Sequence, residues 1–214
     1  MANIGKSITQ SVSLISKVGA ECDLLAELVM QELSSLFGGG ALGKRFQADG
    51  GWIKRYSEDE HGWVYVDSAF SLPLIIKPKR SVGAHLSVQI SLAGDTIAAT
   101  GNDEPLVHVC FWSGSIDFGE LYMGFPLGDE GCVPELDEGV LFKWPELATG
   151  LQEWNYSLRL AEINSVQDVH EMIVEPVKAL LSGSAFDARR LHSLRGIVRY
   201  SAVEDEPGQY RVEL

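Results

Sequence analysis

Leu86-Ser87-Val88-Gln89-Ile90-Ser91-Leu92 alternates aliphatic with small or uncharged polar residues. Successive side chains on a strand point to opposite faces, so this period of two puts Leu86, Val88, Ile90 and Leu92 on a core face. Ser87, Gln89 and Ser91 then look toward water or a thin polar layer. Leu106 to Trp112 is apolar on both faces apart from His108, which predicts a strand near the middle of the sheet. Further strands are expected at Trp63 to Asp67, Leu72 to Ile76, Leu121 to Phe125, Gly139 to Lys143 and Trp154 to Ile163. In the last of these, Trp154, Tyr156, Leu158 and Leu160 share one side.

The links between these runs are short and rich in Gly, Pro, Asn and Asp: Ala93-Gly94-Asp95, Gly101-Asn102-Asp103-Glu104-Pro105 and Ser113-Gly114-Ser115. Parallel neighbours need a crossover of about a dozen residues or more, so short links imply an antiparallel meander. Helices flank it. Ile8, Val12, Ile15, Cys22, Leu25, Val29, Leu33 and Leu36 form one stripe of an amphipathic helix of about eight turns, unless Gly19 splits it. Gly38, Gly39 and Gly40 end it in a turn or loop.

Ser165 and Asp168 read as a capping box opening a second helix. Its stripe is Val169, Met172, Ile173, Val177, Leu180 and Leu181, with a stop at Gly183 and a kink expected at Pro176. A shorter helix at Asp187 to Leu194 follows. The chain then reads as a hairpin, Ile197 to Val203 against Gln209 to Leu214.

The expected fold is therefore α+β: a mostly antiparallel sheet flanked by a long N-terminal helix and a C-terminal helix pair, ending in a hairpin. One domain of 214 residues is expected, with the helix and glycine turn at 1–43, the sheet at 52–163, the helices at 165–194 and the hairpin at 195–214. Its core should include Val88, Ile90, Val107, Val109, Phe111, Leu158, Leu160, Met172, Ile173 and Val177.

Acidic residues outnumber basic ones by 30 to 17, a net charge of −13. That surplus disfavours a grip on nucleic acid or anionic membrane and favours a partner with a basic surface. Cys22, Cys110 and Cys132 are an odd set without a CxxC pair, which fits reduced thiols and a cytoplasmic location. Lys17, Glu21, Asp23, Glu27 and Glu32 interrupt the N-terminal apolar run, against a signal peptide or membrane span.

The sequence has no GxxxxGK[ST], GxGxxG after a strand, HExxH, GxSxG or EF-hand spacing, and no cofactor is expected. Asp117-Phe118-Gly119 stands without the other kinase motifs and is a chance match. Gly38 to Arg45 could cradle a phosphate but follows a helix rather than a strand, so it reads as a helix stop. His108 and Cys110 share a strand face, the start of a soft-metal site without its other ligands, so no metal is expected and a buried histidine beside an inert thiol is the reading. Cys132 lies among acids that favour the neutral thiol. Asp129, Glu130, Glu135, Asp137 and Glu138 read as a solvated loop rather than a cation site. Trp52, Tyr56, Trp63 and Tyr65, with Lys54 and Arg55, could stack on bases, but the acids at Glu58 to Glu60 favour packing at a sheet edge.

The basic exception is Arg189, Arg190, Arg195 and Arg199, beside His192, a candidate contact for an anion or a partner's carboxylates. Against it stands pairing with the chain's own acids. The functional expectation is a non-enzymatic acidic binding or regulatory protein, an adaptor, inhibitor or immunity-type chain acting on a macromolecular partner. The alternative is a hydrolase-type enzyme whose site is dispersed over Asp, Glu, His and Cys residues. The long helix also motivates a homodimer, since eight turns span about 44 Å and a typical strand about 20 Å.

Overall fold

A computed structural model describes residues 4–92, 99–100, 104–118, 134–146, 150–183, 188–204 and 209–213, of which 99–100 and 145–146 are described by their backbone only. The apolar stripe at the start of the chain forms one helix, α1 (Ile4–Ser35), that runs through Gly19 without a break. A second short helix follows, α2 (Gly40–Arg45), in place of the expected turn or loop. Gly39, in extended backbone, accepts from the Gly43 amide and starts it.

The main sheet comprises β1 (Phe46–Ala48), β2 (Ile53–Glu58), β3 (Tyr65–Ile76), β4 (Val82–Ser91), β6 (Leu106–Trp112), β7 (Glu135–Asp137), β8 (Leu141–Glu146) and β9 (Gln152–Arg159). Its order is β1-β3-β4-β6-β9-β8-β7, with β2 also on β3, and every pairing is antiparallel. The strand apolar on both faces, β6, lies between β4 and β9, as its composition requires. A second sheet, β10-β11-β5, pairs β10 (Arg199–Ala202) antiparallel with β11 (Tyr210–Glu213) and β11 parallel with β5 (Ala99–Thr100). The fold is α+β with a mostly antiparallel eight-stranded sheet and a closing hairpin.

Several strand boundaries differ from the sequence reading. The runs at Trp63 to Asp67 and Leu72 to Ile76 join into the twelve-residue β3, because Ser68 to Ser71 also pair with both β2 and β4. Strand β9 stops at Arg159, and a 3-10 turn at Leu160–Glu162 takes Leu160 off the strand face, leaving it half-buried instead of in the core. The other expected core residues are buried. The run Leu121 to Phe125 lies outside the described residues.

Alternation divides the sheet into two unlike faces. Phe70, Leu72, Leu86, Val88, Val107, Val109, Phe111, Trp154, Tyr156 and Leu158 meet the helices, and Ala26, Val29 and Leu33 of α1 close over them. Each fully buried Val or Leu adds about 1.5–3 kcal/mol relative to exposure, before the entropy of ordering it. On the other face Asp67, Ser71, Ser87, Gln89, Ser91, His108, Asn155 and Ser157 are all buried, so the thin polar layer, rather than water, is what Ser87 meets. The hairpin covers the far end of that face, where Val198, Tyr200, Tyr210 and Val212 pack on Leu106, Phe142 and Trp144.

The C-terminal helix runs as α3 (Val166–Val169), a π turn (His170–Val174) and α4 (Glu175–Ser182), followed by α5 (Ala188–His192). Ser165 Oγ accepts from the Asp168 amide (3.1 Å), which is the capping contact read in the sequence. Pro176 has no amide hydrogen for the Met172 carbonyl one turn back. Tyr156 Oη donates to that carbonyl instead (3.1 Å), tying the sheet to the wide turn.

Candidate functional site

In α1, residues 4–21 are exposed without exception, and cover by the body begins at Cys22. Ile4 (73 % exposed), Ile8 (60 %), Val12 (62 %), Leu14 (63 %), Ile15 (47 %) and Val18 (36 %) bring their apolar side chains to water over about 21 Å of helix. The stripe that packs Ala26, Val29 and Leu33 on the sheet thus continues past the edge of the body, and its side chains stay exposed there.

The four arginines reach different parts of the fold. Arg195 lies 3.3 Å from Glu162 and 2.6 Å from Asp168, and donates to the Glu162 carbonyl (2.7 Å). Asp168 is also held by the Asn164 amide and the Ser165 hydroxyl, and the amide leads in keeping its carboxyl below the usual range. Arg189 lies 3.4 Å from Glu138, in the turn between β7 and β8. Arg190 is exposed on α5, and Arg199 is exposed on β10 at the register position of Glu213. The Arg189 and Arg195 pairs are screened by solvent and add little to stability.

His108 and Cys110 do share a face, and both are buried. His108 Nδ1 lies 2.7 Å from Ser157 Oγ, and burial lowers its pKa to about 4. Burial also pushes the Cys110 thiol up to about 12, with a bond to Ser87 opposing it. With its pKa lowered the neutral imidazole is a weak base, and the thiol that stays protonated beside it is a poor nucleophile near pH 7. Around them Ser87 donates to Ser71 (2.8 Å), and Gln89 and Ser91 donate to Asp67. Asn155, fully buried in the same layer, meets no hydrogen-bond partner among the described residues.

At the edge of this face His85 stands in register with Trp112 across β4 and β6, and Glu153 lies on β9 next to Trp154, the partner of Phe111. Glu153 Oε1 accepts from the Ser113 amide (2.7 Å), and His85 Nδ1 lies 3.0 Å from the Ser113 carbonyl. Burial raises the Glu153 carboxyl and lowers the His85 imidazole, which brings an acid and a base toward each other's range. No local window of the chain marks this pair, because Glu153 and His85 lie far apart in sequence and meet only at Ser113 once the strands are aligned.

A cleft of about 260 Å³ opens where α2 and the end of α4 meet β8 and β9, over Phe111 and Trp154. Its cations are engaged within the chain: Arg45 donates to the Leu181 carbonyl (3.0 Å), and Lys143 pairs with Asp137. The glycine segment before it forms α2 rather than a phosphate cradle, and Lys77 donates to its Gly43 carbonyl (2.8 Å). Trp63 and Tyr65 are exposed at the β2 edge, where Tyr56 and Tyr65 pack at 5.1 Å. Cys132, Asp129 and Glu130 lie outside the described residues, and among the described residues no group of three His, Cys, Asp or Glu side chains is placed to hold a metal. No described helix is long and apolar enough to cross a membrane. Comparison of the chain with protein-family models, curated proteins and solved structures found no match.

Proposed function

We propose that this chain acts by binding a macromolecular partner rather than by turning over a substrate, as an adaptor, inhibitor or immunity-type protein. The observation that carries the reading is the uncovered half of α1, because a helix meant to face only water has no use for a continuous apolar stripe. The net charge of −13 adds to it by speeding encounter with a basic surface. Arg189, Arg190, Arg195 and Arg199 either serve internal pairing, as Arg189 does with Glu138 and Arg195 with Glu162 and Asp168, or offer contacts apart from α1 where a partner's carboxylate or phosphate would compete with those acids.

The test is capture from a native lysate at low and high salt, with wild type and Ile15→Glu compared. The expected outcome is one stoichiometric partner, recovered less at high salt and lost in the variant. The Debye length falls from about 10 Å at 0.1 M to about 3 Å at 1 M, so an encounter steered by charge weakens. A second reading, the dispersed-site hydrolase, draws on Glu153 and His85 at Ser113. Reproducible hydrolysis by the pure chain, lost in Glu153→Gln with no partner recovered, would replace the binding reading with this one.

A further inference from the structure

We infer that the occupant of the uncovered α1 stripe is a second copy of this chain, its helix laid antiparallel along the first; this rests on the association reading above. Positions 4, 8, 11, 15, 18 and 22 are spaced alternately by four and three, the 3.5-residue period of a two-helix seam. Five of the six are Ile4, Ile8, Ile15, Val18 and Cys22; the polar exception is Ser11. The seam leads into Leu25 and Val29, which pack on the body, so the free stretch begins where the body stops covering it.

The composition of this stretch requires a partner for its order as well. Gly5, Gly19, Ser7, Thr9, Ser11, Ser13, Ser16 and the β-branched Ile and Val residues are all poor or middling helix formers, so propensity adds little to the order of this half of α1. A helix held mainly by packing needs something to pack on.

Charge selects the direction. Lys6 and Lys17 are the charged residues of positions 4–20, and Glu21, Asp23 and Glu27 follow. Parallel copies would set each of these beside its like. Antiparallel copies set the lysine end of one against the acidic end of the other and oppose the two helix dipoles. The register that uses the whole free stretch places Ile4 against Cys22 of the second copy, Ile8 against Val18 and Ser11 against Ile15, each layer occurring twice by the two-fold axis. Six seam positions a side with their flanks fall well under the roughly 20–30 residues of a standard interface, so a weak dimer with dissociation in the micromolar range is expected.

Sedimentation equilibrium of the full chain over about 1 to 100 µM tests this. The mass should rise from 23.4 kDa toward twice that value. Ile15→Glu should weaken the dimer at least tenfold and Ser11→Leu tighten it at least tenfold, both with an unchanged near-ultraviolet signal from the aromatic residues of the body, because both sites are exposed and lie outside it. The double variant Ile8→Cys/Val18→Cys, oxidised and mapped by mass spectrometry, should give links between 8 and 18 of different copies. Links joining 8 to 8 and 18 to 18 would overturn the antiparallel arrangement. A monomer throughout the range overturns the second copy as occupant. In that case an Ile15-dependent partner in the capture experiment would leave the association reading standing, whereas Ile15-dependent flotation with phosphatidylcholine vesicles would assign the stripe to a bilayer surface.

Discussion

Tyr156 supplies a donor that Pro176 lacks, a repair between residues twenty positions apart. Tyr156→Phe should therefore destabilise the fold by about 1–3 kcal/mol, the cost of a buried carbonyl left without its donor, although it removes only one oxygen. Urea unfolding would measure it, and a loss below about 0.5 kcal/mol would show that water serves the carbonyl equally well. His108 makes the pH prediction. Its folded pKa of about 4 lies below the ordinary 6.5, so the unfolded chain binds the proton more tightly. Its contribution is present in full above pH 6.5 and is lost progressively as pH falls toward 4, on the order of 3 kcal/mol in all. His108→Gln should flatten that part of the stability profile; an equal slope in the variant would assign the acid sensitivity to other groups.

Gly196, between α5 and β10, shows how elements are joined tightly enough to fix single residues. Its φ of +70° suits glycine, and an added Cβ would stand 2.6 Å from the Glu162 side chain in the 3-10 turn that follows β9. Gly196→Ala should cost about 1–3 kcal/mol through backbone strain and that contact, read as a lowered thermal midpoint. An unchanged midpoint would mean that the Glu162 side chain swings aside at no cost. At this scale the long periodic elements were legible: α1, β4, β6 and the Ser165 cap each carry many residues that agree. The short strands β1, β2 and β7 were not, because three to six residues give too few repeats of any period to separate strand from loop. Nor was β3 as one piece, since Ser68 to Ser71 pair through backbone rather than through an apolar pattern. The arginine cluster was visible as a run of charge, whereas the Glu153 and His85 pair depends on a register that no local window contains.

The molecule as a whole stacks a helix layer, a sheet and a hairpin layer, with dissimilar chemistry on the two sides of the sheet. Because β4, β6 and β9 belong to both sides, the layers should unfold together. The helical far-ultraviolet signal and the near-ultraviolet signal of the aromatic cluster at Phe142, Trp144, Tyr200 and Tyr210 should give coincident transitions in urea. Separate midpoints would make the hairpin layer an independent unit. The buried polar layer also acts on states that are never populated. If β4 slipped by one residue, Ser87, Gln89 and Ser91 would turn into the helix-side core and Asp67 would lose its donors, while Leu86, Val88 and Ile90 would be driven against polar groups. A sheet greasy on both sides would tolerate many such slips at little penalty; here nearly every misaligned pairing is expensive, so the chain discards its wrong alignments early.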